Sequence, residues 1–341
     1  MPRPRIRWLL TAAAGALAAV APGCADDNPS SAEIAGRGQV AAVIKGVDNP
    51  FFATMSEGLV ATAKAHKTHL RLAAASGLED TAGQASTLES FAAQPAGCVV
   101  VNPITPTNLI GPLSHLPPRT PIVNIDSPVD RRAAAAVGVR IATYIGTDNQ
   151  AAGRRGAAAM AHLVEPGARV AVVTGIPGDA GSGARASGFR AGARGRFVVV
   201  RAVAADFERA RARLAAADVL RLDPRVRGFF AVNDEMALGI ADALRAAGRA
   251  GSVAVIGMDG TREALRAVRR GRLSATVAQY PYAIGQLGIE ACVAAQRGKR
   301  LPARVDAPVA VVTRDNAAQA LARFPRPLAA FPDPLQRLLE G

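Results

Sequence analysis

The chain has 341 residues, of which 50% are hydrophobic and 20% are charged, so the composition excludes an intrinsically disordered protein and allows two lobes with separate cores. The formal net charge of +14 first suggests nucleic acid or an anionic membrane as a partner. The basic residues are mostly arginines scattered along Ala-rich helical stretches such as 208–213, without interleaved aromatic residues that stack on bases. We therefore interpret them as solvated helix faces and expect no nucleic-acid partner.

The first residues have the pattern of an export signal. Arg3, Arg5 and Arg7 precede an apolar stretch over residues 8–21, which is shorter than the roughly 20 residues that span a bilayer. Cys24 follows this stretch, as in a bacterial lipobox, where the cysteine is acylated. The sequence therefore predicts a signal peptide over 1–23, lipidation of Cys24, a polar tether over 24–38, and a location in the periplasm or on the outer face of the cell membrane.

Two further cysteines, Cys98 and Cys292, lie in an apolar run and in an Ala-rich helical stretch. Neither has a spacing typical of metal ligands, and we expect no metal site. Two buried free thiols are the default expectation, and a disulfide between them is the alternative.

From residue 39 onward, short Val- and Ile-rich runs alternate with stretches of helical length. Such runs are typical of strands buried on both faces, and helices between strands favour parallel crossovers. The predicted strands are 39–44, 70–74, 98–101, 121–125, 144–146, 169–174, 197–203, 228–232, 253–258, 275–279 and 308–312. The predicted helices are 51–66, 81–93, 148–163, 181–193, 207–217, 235–247, 262–270 and 284–296, with a short helical segment between the strands 98–101 and 121–125.

The alternation stops near Asp148 and then restarts, which favours two lobes over one very wide sheet. We predict the α/β class, with two doubly wound parallel-sheet lobes. The predicted N-terminal lobe comprises 39–147 and 280–308, and the C-terminal lobe comprises 148–279 and 309–320. Residues 321–341 contain four prolines after position 324, and we expect an irregular tail that packs on one lobe.

Polar or aromatic side chains follow most of the predicted strands. Because ligands of such sheets bind outside the carboxyl ends of the strands, we expect these side chains to line one site. Carboxylates, amides and cationic groups together suit a sugar, whose hydroxyls both donate and accept, and aromatic rings suit its C–H faces. The candidate ligand-binding residues are Lys45, Asn49, Phe51, Phe52, Asp126, Arg185, Phe207, Asn233, Asp259 and Gln279.

Several of these residues also have a structural interpretation. Asp126 and Asp259 stand at strand–helix junctions, where aspartate often caps the next helix, and Asn233 with Asp234 can form a cap pair. Of two adjacent phenylalanines, 51 and 52, we expect one to enter the core and one to face the cleft. Arg185 can be one more solvated arginine.

Taken in order, several stretches resemble the ribose-binding class of periplasmic sugar-binding proteins, the solute receptors of ABC importers. The resemblance covers residues 40–316 and implies the type I periplasmic binding protein fold, in which three crossover strands join two lobes that close around a ligand. The matching stretches are 49–52, 147–149, 151–153, 175–178, 185–189, 205–207, 233–239, 257–261 and 278–279.

The resemblance implies that every candidate residue other than Lys45 contacts the ligand. Two positions depart from the pattern of ribose binders. Lys45 stands where they carry a small hydroxyl residue, although several relatives have a lysine there, and Ser127 stands where they carry arginine. These departures favour a different sugar, a polyol or a sugar-derived signal, with an anionic group or a ring oxygen facing Lys45.

The leading hypothesis is therefore a monomeric substrate-binding lipoprotein that delivers a monosaccharide or polyol to an ABC transporter permease, without a cofactor. A sensor that presents ligand to a receptor kinase fits the same sequence. A lac-repressor-like effector domain requires an N-terminal DNA-binding segment, which the apolar N-terminus does not resemble. A glycosidase would use Asp126 and Asp259 across a cleft, but no nucleophile–base arrangement supports an enzyme.

Overall fold

The structure is a computed structural model that describes residues 38–94 and 96–340. The predicted signal peptide, Cys24 and all of the predicted tether except Gly38 lie outside the described residues.

The N-terminal lobe is built on a six-stranded sheet in which all neighbouring strands are parallel. Its strand order is β11-β5-β4-β3-β1-β2. The strands are β1 (Gln39–Ile44), β2 (His69–Ala74), β3 (Cys98–Val101), β4 (Ile122–Ile125), β5 (Ile141–Gly146) and β11 (Arg304–Asp306). The helices of this lobe are α1 (Pro50–Ala65), α2 (Thr81–Ala92), α3 (Ile110–Ser114), α4 (Arg131–Ala136), α10 (Pro281–Gln296) and α12 (Gln336–Leu339).

The C-terminal lobe is also built on a six-stranded sheet, with strand order β12-β10-β9-β8-β6-β7. Only β12, at the edge, is antiparallel to its neighbour. The strands are β6 (Arg169–Thr174), β7 (Val198–Ala204), β8 (Val226–Ala231), β9 (Ala254–Asp259), β10 (Ala275–Gln279) and β12 (Val309–Thr313). The helices are α5 (Asn149–Ala161), α6 (Ala180–Ala193), α7 (Arg209–Leu222), α8 (Asp234–Ala246), α9 (Arg262–Arg269) and α11 (Ala317–Arg323).

Each sheet is covered by helices on both faces, which explains the continuous apolar runs of its central strands. All four residues of β3 are buried, as are all five of β10. Val99 and Val100 are consecutive residues of β3, and their side chains enter different hydrophobic clusters on opposite faces of the first sheet. This is the two-fold periodicity of a strand, and it confirms the predicted α/β class.

Three segments carry the chain between the sheets. They follow β5, β10 and β11, at 146–149, 279–281 and 306–309. Because the crossings lie side by side, they form the predicted hinge.

A disulfide joins Cys98 on β3 to Cys292 on α10, with 5.5 Å between the Cα atoms. The default expectation of two free thiols was therefore wrong. The two residues are 194 positions apart, and only the packing of α10 on the first sheet brings them together.

The C-terminal tail also differs from its prediction. It leaves the C-terminal lobe after α11 and reaches the N-terminal lobe, where α12 packs on α10. The tail therefore contacts both lobes, not one.

Candidate functional site

A small cavity of about 70 Å³ lies between the lobes, at the carboxyl ends of strands from both sheets. Nine of the ten candidate residues line it: Lys45, Asn49, Phe51, Phe52, Asp126, Arg185, Phe207, Asn233 and Asp259. The tenth, Gln279, lines a neighbouring interlobe cavity of about 400 Å³, which shares Phe51 and Asp259 with the first.

Arg185 is held in place by three groups and is not a solvated surface arginine. Its Nε donates to Asn149 Oδ1 at 2.8 Å, and its Nη1 donates to the Val232 carbonyl at 2.8 Å. Nη1 also lies 3.6 Å from Asp259 Oδ1. A guanidinium fixed on two sides is pre-organised to offer its remaining N–H groups to the cavity.

Asp259 lies at the end of β9 and is 6% exposed. Gln279 Nε2 donates to its Oδ1 at 2.8 Å. Burial raises the pKa of Asp259 to about 8, and the positive charge of Arg185 opposes this shift. Gln279 Oε1 is buried and accepts no hydrogen bond from the described residues, so it remains an open acceptor next to the carboxyl group.

Neither aspartate caps a helix. The side chain that caps α4 belongs to Asp130, and Thr261 caps α9. Asp126 instead accepts from Ser127 Oγ at 3.2 Å through Oδ2, while the Tyr144 hydroxyl donates to its backbone carbonyl at 2.6 Å. The capping interpretation was therefore wrong for both aspartates, and their carboxyl groups are available to the cavity.

Asn49 and Asn233 each cap a helix and also line the cavity. Asn49 caps α1 by accepting from the Phe51 amide at 2.9 Å, and Asn233 caps α8 by accepting from the Met236 amide at 2.9 Å. Asp234 does not share the cap: it is fully buried and accepts from the Thr276 hydroxyl and the Thr261 amide, both at 2.7 Å.

Lys45 follows β1 and is 6% exposed. Its Nζ lies 5.5 Å from the centre of the Phe52 ring, and among the described residues no carboxylate forms an ion pair with it. A buried ammonium that rests only on an aromatic face retains donor capacity for a ligand.

Three aromatic rings border the cavity. Phe51 and Phe52 are both buried and meet edge to face, with 5.3 Å between their ring centres. Both line the cavity and both belong to the N-terminal core, so the expected division of one core and one cleft residue was wrong. Phe207 approaches from the C-terminal lobe over Gly175, where an added Cβ would lie 2.2 Å from its ring.

The backbone is strained at three of these positions. Asp126, Phe207 and Asp259 have φ angles of 58°, 66° and 131°, a region that side chains other than glycine rarely adopt. Such strain is maintained only where the surrounding structure imposes it, and it is frequent at functional sites.

The structure adds lining residues that sequence reasoning did not assign. Asn149, which orients Arg185, lies in a stretch that carried the family resemblance, so that stretch was a usable signal. Asp179 also caps α6, and nothing in its local sequence distinguishes it from an ordinary cap. The other added lining residues are Leu78, Ser127, Pro128 and Gly181.

The cavity therefore combines two cationic groups, three acidic groups, amides and aromatic faces. This set can hold a small polyhydroxy ligand through hydrogen bonds in the ring plane and apolar contacts above and below it. Within residues 38–94 and 96–340, no cluster of three or more His, Cys, Asp or Glu residues is placed to hold a metal ion.

Comparison with known proteins identifies the family of this chain. The family model described as "Periplasmic binding protein domain" matches residues 40–300. The chain belongs to the periplasmic binding protein family.

Among its relatives is the ribose import binding protein of Bacillus subtilis, which is 30% identical over 79% of this chain and 85% of the relative. The D-allose-binding periplasmic protein of Escherichia coli is 30% identical over 77% of this chain and 86% of the relative. These relatives are solute-binding proteins and not enzymes, and the chain is a binding protein of the same ribose-binding-protein-like class.

A solved structure with the same fold is a periplasmic solute-binding protein of an ABC transporter from Actinobacillus succinogenes with bound D-allose. It has a TM-score of 0.77 and 27% identity, and the match covers 82% of this chain and 99% of that protein. A solute-binding protein from Agrobacterium vitis with bound D-fucose has a TM-score of 0.74 and 26% identity, over 82% of this chain and 96% of that protein. The chain thus has the type I periplasmic binding protein fold. In its described part, no helix combines the length and apolarity that crossing a membrane requires.

Proposed function

We propose that this protein binds a monosaccharide or a related polyol in the cavity between its lobes and delivers it to the permease of an ABC importer. The observation that carries the proposal is the convergence of Lys45, Asp126, Arg185 and Asp259 on one small interlobe space. Groups from both lobes contact a ligand there together only when the lobes are close, so binding favours the closed state.

The interlobe space suits a small ligand. About 70 Å³ lies among the candidate residues, and this space adjoins the cavity of about 400 Å³ that shares Phe51 and Asp259. Similar relatives are named for ribose and allose, which are monosaccharides.

The first sheet provides the feature that selects among sugars. Lys45 offers a cationic donor without an acidic partner among the described residues, and Ser127, which lines the cavity, donates its hydroxyl to Asp126. A ligand with a ring oxygen or an anionic group on the Lys45 side would satisfy this donor.

We further propose that the protein is exported and anchored through an acylated Cys24. The support is the order of basic residues, apolar stretch and cysteine at the N-terminus. Replacing Cys24 with alanine should leave ligand affinity unchanged and release the protein from the membrane fraction. Retention of the Cys24→Ala protein in that fraction would argue against the anchor.

The test of ligand binding is calorimetry of the purified protein against pentoses, hexoses, uronic acids and polyols. We expect at least one member to bind and the Asp259→Ala variant to lose that binding. The matched control is Asp315→Ala, because Asp315 is exposed and lies outside the cavity. Absence of binding to every member at millimolar concentration would overturn the proposal.

A further inference from the structure

The C-terminal segment 324–340, called the strap below, begins on the C-terminal lobe. The Arg262 guanidinium of α9 lies 4.4 Å from the centre of the Phe324 ring, and both Phe324 and Leu328 pack on the C-terminal core. Arg323 Nε donates to the Pro327 carbonyl at 2.7 Å. These contacts fix the first residues of the strap to one lobe.

The strap then contacts the hinge. The Leu328 amide donates to the Tyr280 hydroxyl at 3.1 Å. Tyr280 lies in the crossing between β10 and α10 and directly follows Gln279, which holds the Asp259 carboxyl group. Residues 324–326 also line the interlobe cavity of about 400 Å³ behind Asp259.

The end of the strap is anchored on the N-terminal lobe. Phe331 packs against the cores of both lobes, and Leu335 is completely buried in the N-terminal core. Arg297, which follows α10, donates from Nη1 to the Leu339 carbonyl at 2.6 Å.

A buried carboxyl group lies at this second anchor. Gln286 Nε2 donates to Glu290 Oε1 at 2.9 Å, and Glu290 Oε2 is buried without a hydrogen-bond partner among the described residues. Burial, and then Asp333, raise the pKa of Glu290 to about 8, so a protonated Glu290 can donate to Asp333 at neutral pH.

We propose that the strap is a fourth connection between the lobes, which holds the ligand-free protein near the interlobe arrangement seen here. Rotation of the lobes about the three crossings must stretch the strap or break one of its anchors. The strap therefore restricts the angle between the lobes in the protein without ligand. By restricting this angle it raises the share of molecules that are competent to bind, and the apparent dissociation constant falls in proportion.

The sharpest test lengthens the strap and leaves both anchors intact. A flexible Gly–Ser insertion of about six residues between Ala329 and Ala330 adds roughly 13 Å of reach. Both residues are exposed, so the insertion removes no buried side chain. The matched control is the same insertion after Gly195, in an exposed turn within one lobe.

The readout is the distance between spin labels on the two lobes, measured without ligand by double electron–electron resonance. The labels are attached at Ser86→Cys on α2 and Arg213→Cys on α7, which are both exposed, in a Cys24→Ser background. We expect the strap insertion, and not the control insertion, to lengthen and broaden the distance distribution. Coincident distributions for both proteins would overturn the proposal.

A second readout rests on the proposed function. If the binding-competent share falls from about one half to about one tenth, the dissociation constant of the sugar rises about five-fold. The distance measurement needs no ligand, so failure to find a sugar would count against the proposed function and not against the strap.

Discussion

Asp259 is a cavity residue with a strongly raised pKa. Burial raises its pKa to about 8, whereas a carboxylate that accepts hydrogen bonds from sugar hydroxyls is stabilised in its charged form. Ligand binding therefore lowers the pKa of Asp259 and releases a proton below about pH 8. Because ligand binding is favoured by the ionised carboxyl group, affinity should rise as the pH rises from about 6 to 8.

This predicts that calorimetry near pH 7 in buffers of different ionisation enthalpy will report proton release on binding. The Asp259→Asn variant should bind more weakly and release no proton through this group. The Asp315→Asn variant should behave as the wild type. Equal affinity at pH 6 and pH 8 in the wild type would contradict the assignment.

Gly175 is predicted to be essential for the position of the Phe207 ring. A Cβ at this position would lie 2.2 Å from the ring, and no real contact is that short. The Gly175→Ala substitution should displace Phe207 and weaken ligand binding about ten-fold, which corresponds to about 1.4 kcal/mol.

Gly183→Ala is the control for this variant, because an added Cβ at position 183 meets no heavy atom within 4 Å. It should retain wild-type affinity. Unchanged affinity in Gly175→Ala would show that the ring makes no contribution to binding.

At the scale of single residues, the sequence predicted which side chains meet at the cavity because each follows a strand of a parallel sheet. It did not predict their partners. The contact by which Asn149 orients Arg185 joins residues 36 positions apart. The cap of α9 is local, since Thr261 accepts from the Ala264 amide, and the sequence analysis considered only Asp259 for that role. A left-handed backbone at Phe207 also has no local signal.

At the scale of elements, the region where α10 meets the strap contains a carboxyl group with a raised pKa, Glu290. The pKa of Glu290 is about 8 in the folded protein, above the ordinary value of 4.5 that applies when the chain is unfolded. The folded state therefore binds more protons between these two values. Its stabilising contribution is complete below about pH 4.5 and is lost as the pH rises through about 8.

The Glu290→Gln variant should remove the pH dependence of this contribution, since a neutral amide can donate to Asp333 at every pH. We expect its melting temperature to fall less than that of the wild type between pH 5 and pH 9. Glu89→Gln on the exposed face of α2 provides the control. Parallel curves for wild type and Glu290→Gln would contradict the shared proton.

The disulfide between β3 and α10 makes a second prediction at this scale. Replacing Cys98 and Cys292 together with alanine should lower the free energy of unfolding by about 2–4 kcal/mol. Neither residue lines the cavity, so ligand affinity should change little. Denaturant unfolding measures the first effect, and alkylation of two free thiols in the unreduced wild type would contradict the disulfide.

The periodicity of apolar residues predicted the long elements, because strands buried on both faces and Ala-rich helices have distinct patterns. The short helices α4, α11 and α12 and the three-residue strand β11 were missed, since elements of three to seven residues give too little periodicity to recognise. The disulfide was not favoured, because pairing over 194 positions is set by the packing of α10 and not by local sequence. The proline-rich tail gave no indication that its buried leucine belongs to the opposite lobe.

At the scale of the whole molecule, two repeated lobes place strand ends from both sheets around one cavity, and three crossings allow the lobes to rotate. In the proposed function, the ligand contacts Lys45 and Asp126 of one lobe and Arg185 and Asp259 of the other, and these joint contacts favour the closed arrangement.

The most direct measurement is a crystal structure of the protein with the tightest-binding member of the sugar panel. The predicted result is one sugar between the lobes, with its hydroxyls bonded to Asp259 and Arg185 on one side and to Asp126 and Lys45 on the other. A sugar bound elsewhere, or held by a single lobe with the interlobe space filled by protein side chains, would contradict the account.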